Sequence, residues 1–150
     1  MTDSEWEALA KAYRATRYVI RPQAFTGGHE WVLRVDAPHP ELDEALTALG
    51  HGEWAFLTAW NPGSRPCSPA ENDRAQQRLR LELAEGGWEA LEAVGVAEDA
   101  SWSEDSLFVP GLPREEAERL GRAHGQVAVL VGRVGGPAEL LFCEDTRTKR

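Results

Sequence analysis

Between residues 54 and 131, apolar runs of period two alternate with stretches of helical period, and the order in which they come leaves few folds open. Residues 54–60 (Trp54-Ala55-Phe56-Leu57-Thr58-Ala59-Trp60) read as a strand, 69–85 as a helix, 88–96 as a strand and 106–109 as another. A helix over 113–124, closed by Gly125, then leads into a buried apolar strand at 127–131. This β-α-β-β-α-β succession is a split βαβ pattern, in which helices cover one face of a mostly antiparallel sheet. The expected class is α+β with a ferredoxin-like core, and one more strand follows at 138–143 after Gly135-Gly136-Pro137.

The first third of the chain reads as an α-β-β-α extension that must add to an edge of that sheet or cover a face. Trp6, Leu9, Ala10 and Tyr13 share one face of a helix over 4–16, at i, i+3, i+4 and i+7. Strands are expected at 18–20, ended by Pro22, and at 31–35 after the Gly27-Gly28 turn. Pro40 and Gly50 bracket a helix carrying Leu42, Leu46 and Leu49. The connection 50–53 is too short to be a linker, so residues 1–150 are expected to form a single domain, and no internal repeat suggests a solenoid.

Charge narrows the partners. The chain carries 16 Lys and Arg against 25 Asp and Glu, a formal −9, spread evenly over both halves. A nucleic-acid binder needs a basic stripe to displace counterions, whereas Arg74, Arg78 and Arg80 are interleaved with acids, which argues against nucleic acid as a bulk partner. The start Met1-Thr2-Asp3-Ser4-Glu5 has no basic or apolar leader character, and no stretch approaches the length of a membrane span, so a cytoplasmic protein is expected. Cys67 and Cys143 have no zinc spacing and read as reduced thiols. Arg outnumbers Lys and only two Asn occur, a bias that fits a GC-rich genome or a thermophile.

Both asparagines flank one loop. In the stretch 60–72, Ser68, Pro69 and Glu71 form a capping box with proline at the first helical position, which fixes the start of the helix. Asn72 falls one turn in, on the face of Gln76, Leu79 and Leu83, where an amide needs partners. Asn61-Pro62-Gly63-Ser64 is also an ordinary turn that Asn72 could tie down by bonding its backbone. The alternative is a pocket in which Asn61, Ser64, Arg65, Ser68 and Asn72 present donors beside a helix N-terminus that attracts anions.

Elsewhere the chemistry is thinner. Glu98, Asp99, Glu104 and Asp105 crowd the connection 98–106 but lack the glycine and ligand rhythm of a calcium loop, so a solvated hairpin is expected, with Trp102 folding back as an anchor or lying over a ligand. Cys67 precedes a helix start, yet none of His29, His39, His51 and His124 lies near it in sequence. His124, at a helix C-terminus, reads as structural. Gln126 opens the strand after Gly125.

Taken together, Thr58-Ala59-Trp60-Asn61-Pro62, Ser68, Asn72, Trp102, Glu104, Ser106 and Gly125-Gln126 resemble the bacterial family catalogued as domain of unknown function 3293, over roughly residues 18–143. The resemblance implies a small bacterial protein and names no reaction, cofactor or partner. The family usually has an aromatic residue where this chain has His124, and Cys67 belongs to none of its motifs, which weighs against a Cys–His nucleophile.

The leading expectation is a ligand-binding or regulatory module without a cofactor, whose pocket of Asn61, Ser64, Arg65, Ser68 and Asn72, joined by Glu104, Ser106 and Gln126, takes a small polar or anionic molecule. Membership of the last three rests on the ferredoxin-like order. An enzyme would use Glu104 as acid or base and Arg65 to stabilise negative charge. An interaction protein would use the sheet face and the six tryptophans.

Overall fold

The computed structural model describes residues 2–143 and holds four helices and seven strands in one sheet. Helix α1 (Asp3–Ala15) leads to β1 (Arg17–Ile20) and β2 (Trp31–Leu33), then α2 (Pro40–Ala48) and β3 (Glu53–Leu57). After α3 (Pro69–Glu85) come β4 (Leu91–Val96), β5 (Ser103–Pro110), α4 (Arg114–Ala123), β6 (Ala128–Arg133) and β7 (Glu139–Phe142). The strand order is β2-β1-β4-β5-β3-β6-β7 and every neighbouring pair is antiparallel.

The middle of that order, β4-β5-β3-β6, is the arrangement a split βαβ unit requires. The sheet does not stop there. It continues on both sides and curls into a half-barrel, so the class is mixed α and β with an antiparallel sheet rather than a plain ferredoxin-like layer. The extension accounts for the difference: β1 pairs with β4 through Ile20 opposite Ala93, and β2 pairs with β1, turning an edge of the four-stranded core into an interior position.

Helices cover both faces, not one. Alternation along the strands sends Ala55, Leu57, Leu107, Val109, Val129 and Val131 to the side of Leu79, Leu83, Ala117 and Leu120 from α3 and α4. Their neighbours Trp54, Phe56, Phe108 and Leu130 meet Leu42 and Leu46 of α2 on the other side, with Tyr18, Ile20 and Leu33. That second face needs a helix because the strands are apolar on both sides. At its far end α1 rests through Trp6 on the ring of Phe142, centroids 5.2 Å apart.

Several strand limits differ from the sequence reading, the strand expected over 31–35 ending at Leu33 and that over 127–131 running Ala128–Arg133, and three of them have direct physical reasons. The strand expected over 54–60 ends at Leu57 because the Gln76 side chain takes over the ladder: its Oε1 accepts the Ala59 N–H at 2.9 Å and its Nε2 donates to the Asp105 carbonyl at 3.1 Å. The strand expected from 88 starts at Leu91, since Trp88 turns back over Gly86. The strand expected over 106–109 begins at Ser103, because Ser103, Glu104 and Asp105 pair with Val96, Gly95 and Val94 despite their polarity.

Candidate functional site

At the end of β3 the chain leaves the sheet and is fastened at four points. Thr58 Oγ1 donates to the Asp105 carbonyl at 2.7 Å and accepts the Trp60 N–H at 3.1 Å. Gln126 Nε2 donates to the Trp60 carbonyl at 3.0 Å, and the Gly63 N–H donates to the Gly125 carbonyl at 2.7 Å. Gly125 suits this junction twice over, with φ of 68° and with Pro62 so close that an added Cβ would lie 2.9 Å from the Pro62 Cβ. The turn 60–64 is therefore docked on the α4–β6 junction.

Asn61 stands at the centre with φ of 46°, a left-handed conformation that asparagine tolerates better than most residues. Asn72, buried in the first turn of α3, reads both of its amide groups: Asn72 Oδ1 accepts the Asn61 N–H at 2.9 Å and Asn72 Nδ2 donates to Asn61 Oδ1 at 3.0 Å. The same Oδ1 accepts the Cys67 N–H at 3.0 Å. The amide orientation of Asn61 is thus fixed, and its Nδ2 donates to Glu104 Oε2 at 2.7 Å. A carboxylate is held by one asparagine, which is held by another.

Glu104, the second residue of β5, lies on the sheet face that carries Ser106 and Phe108, and directly across on β4 sits Gly95, which has no side chain to cover it. Burial pushes the Glu104 carboxyl above the usual range, with the Asn61 hydrogen bond pulling the other way. Its Oε1 accepts no hydrogen bond among the described residues. Over it lies α1, whose Tyr13 hydroxyl meets Ser64 Oγ at 2.8 Å. Burial raises the Tyr13 hydroxyl too, opposed by Ser64 and reinforced by the Glu104 charge.

These groups line a cleft of about 260 Å³ formed by Leu9, Ala12, Tyr13, Asn61, Ser64, Pro66, Trp102, Glu104 and Gln126. It shares Tyr13, Trp102, Glu104 and Gln126 with a recess of about 40 Å³ running under α1 to Tyr18, Phe56, Ser106 and Leu130. A larger depression of about 310 Å³ lies between β2 and the start of α2, but there His39 Nε2 is occupied, accepting the Arg34 N–H at 3.0 Å. Convergence of polar groups on an apolar wall, rather than size, singles out the Glu104 cleft.

Of the residues singled out from sequence, Asn61, Ser64, Glu104 and Gln126 line the cleft and Ser106 lines the recess. Asn72 supports them from behind. Ser68 caps α3, with its Oγ accepting the Glu71 N–H at 3.2 Å and Glu71 Oε1 accepting the Ser68 N–H at 3.1 Å, away from the cleft wall. Arg65 is exposed and is not part of the lining. Tyr13, Leu9 and Ala12 were missed: their spacing marks a helix face, and nothing in that spacing tells which wall the helix will meet. Gln76 was placed on the core face without its ladder role.

His124 Nε2 pairs with Glu82 Oε1 at 2.8 Å, tying α4 to α3. Cys67 is a free thiol. In the 98–106 connection Asp99 Oδ1 accepts the Ser101 N–H at 3.0 Å and Asp105 pairs with Arg21, while among the described residues no group of three or more His, Cys, Asp or Glu is placed to hold a metal ion.

Residues 57–129 match the family described as Protein of unknown function (DUF3293). This is the family that the motifs of the sequence resemble. The matched span is shorter than the 18–143 expected; it contains Asn61, Asn72, Trp102, Glu104 and Gln126 and leaves out α1, which supplies Tyr13. No curated protein and no solved structure matches the chain. Among the described residues no helix is long and apolar enough to cross a membrane.

Proposed function

We propose that this protein is a small ligand-binding module of the cytoplasm, with the ligand seated between α1 and the turn 60–67 against Glu104. One observation carries the reading: a half-buried carboxylate is oriented through one oxygen by Asn61, while its other oxygen, facing a cleft, has no partner among the described residues. Burying an ionisable group costs free energy unless it is paired, and such groups concentrate where function needs them. Trp102 and Tyr13 add aromatic surface to the same cleft. The free thiol of Cys67 supports a reducing compartment.

The test is a thermal-shift screen of the whole chain against amines, amino acids, nucleosides, sugar phosphates and carboxylates. A ligand at 100 times its Kd adds about 2.7 kcal/mol of stability. A hit whose effect disappears in Ala12→Trp, which fills the cleft from an exposed helix position without touching the Asn61–Asn72–Glu104 hydrogen bonds, supports the reading. Hits that survive in that variant place the ligand elsewhere and overturn it, as does a screen without hits.

A second reading, an enzyme using Glu104 as general acid, draws on its raised carboxyl and on the neighbouring Tyr13–Ser64 hydrogen bond. Arg65 lies outside the cleft lining, so stabilisation of negative charge would fall to the Asn61 and Gln126 amides. A protein-docking role draws less support: the exposed large apolar side chains Val32, Leu49, Leu81 and Trp102 belong to four separate parts of the fold.

A further inference from the structure

The charge of the lining points to the class of ligand. The cleft contains one carboxylate, one phenol, one serine hydroxyl, one indole and two amides, and neither Lys, Arg nor His is among its lining residues. Asn61 Nδ2 commits one of its hydrogens to Glu104 Oε2. Gln126 Nε2 is spent on the carbonyls of Trp60 and His124, at 3.0 and 3.3 Å. No cationic side chain of this lining is there to receive an anion, and the donors nearest Glu104 already serve protein acceptors, whereas Glu104 Oε1 accepts no hydrogen bond among the described residues.

An anionic ligand would have to approach that carboxylate in a setting that has lost much of its water, where like charges repel more strongly than in solution. A protonated nitrogen gains on each count. It supplies hydrogens to Oε1 in a charge-assisted bond, restores the charge balance of a buried carboxylate, and finds the rings of Tyr13 and Trp102 in the same wall. The carboxylate is also held ready, since Asn72 and the Cys67 N–H fix Asn61 before any ligand arrives.

The recess sets the rest of the shape. Beyond Glu104 it narrows between Tyr18, Phe56, Leu130 and Leu140, an apolar wall that suits a short alkyl segment. We propose that the ligand of this cleft is a small organic cation, an ammonium or guanidinium group carrying a short apolar chain, with its nitrogen on Glu104 Oε1 and its chain in the recess. This deepens the ligand-binding reading above and rests on it.

Calorimetric titration of the full chain at neutral pH with a matched series, butylamine, butyramide and butyrate, separates the possibilities. Butylamine should bind, butyramide should bind about tenfold or more weakly, and butyrate should not bind measurably. Glu104→Gln, which keeps the acceptor for Asn61, should remove the preference for butylamine, and Ala12→Trp should abolish all binding, with circular dichroism checking that both variants are folded. Binding of butyrate or butyramide in preference to butylamine, lost in Ala12→Trp, overturns the cation assignment and leaves the cleft reading standing. Butylamine binding that Glu104→Gln leaves unchanged overturns the assignment as well. No binding by any member of the series overturns the cation assignment; the cleft reading then stands or falls on the broader screen and its own Ala12→Trp control.

Discussion

Asn72→Ala is the sharpest test of the hydrogen bonds that build the site. The side chain is 4% exposed and makes two hydrogen bonds, both to Asn61. Its removal leaves Asn61 Oδ1 one remaining donor, the Cys67 N–H, but leaves the Asn61 N–H with no protein partner. A lost bond costs about 0.5–1.5 kcal/mol and an orphaned buried donor about 1–3 kcal/mol. Against this, alanine is the better helix former by roughly 0.7 kcal/mol at a position in the first turn of α3. The expected net loss is about 2 kcal/mol, which for a chain of this size lowers Tm by about 4–8 °C. Urea unfolding monitored by tryptophan fluorescence reads the same quantity as a shift in midpoint at constant slope. Asn72→Asp should fall between wild type and Asn72→Ala: it keeps an acceptor for the Asn61 N–H and adds a favourable charge near the helix N-terminus, while setting a carboxylate oxygen against Asn61 Oδ1. Equal midpoints for wild type and Asn72→Ala would refute the buried amide pair.

Ser68→Ala should cost about 1 kcal/mol in urea unfolding through loss of the α3 cap, and should leave titration of the cleft unchanged, because the cap lies outside its wall. Gly121→Ala should cost about 1–3 kcal/mol, since its new Cβ would collide with Cys143 Sγ and lie 3.0 Å from Val129 Cγ1; an unaltered midpoint would show that α4 can shift freely. Glu104→Gln should become more stable relative to wild type as pH rises. The folded carboxyl is raised by burial, so the stability linked to its protonated form is complete below the unfolded value and is lost as pH climbs through the folded one. The neutral variant does not pay that loss. Urea midpoints of the two proteins measured from acidic to neutral pH check it, and a constant difference between them would contradict the burial of Glu104.

Much of the fold could be read from local signals because those signals act within one element. The Ser68-Pro69-Glu71 box set the start of α3 by satisfying backbone N–H groups of its first turn, and proline at position 40 set the start of α2 because it has no N–H to satisfy there and its φ already suits a helix. What local reading could not supply was the completion of the sheet. The period-two runs at 17–20 and 31–33 show strands, but the same runs would serve a separate hairpin equally well, and it is the pairing of Arg17–Ile20 with Val96–Ala93 that joins them to the four-stranded middle of the sheet. The short strand limit at Leu57 has the same origin: Gln76 replaces ladder bonds from a helix that begins twelve residues later in the chain, at Pro69.

The site divides along the same line. Asn61 and Asn72 stood out because two rare residues flank one loop, and the structure joins them directly; Glu104 stood out only through family-like spacing, since in the run 98–106 it is one acid among four. Its distinction is positional. Strand alternation turns Glu104 toward the face of Phe108 and turns Asp105 the other way, toward solvent and Arg21, so one of two adjacent carboxylates is half-buried and the other paired at the surface. A shift of one residue in the β4–β5 register would exchange their roles, and it is the register, with Gly95 opposite Glu104, that leaves the buried one uncovered. Arg65 shows the converse. Its sequence neighbours line the cleft, yet it lies exposed and outside the lining, and without it the cleft has a carboxylate and no cationic side chain to answer it. Among the described residues no cation answers Glu104, and a bound cation or a proton would balance its charge; the butylamine titration distinguishes the two.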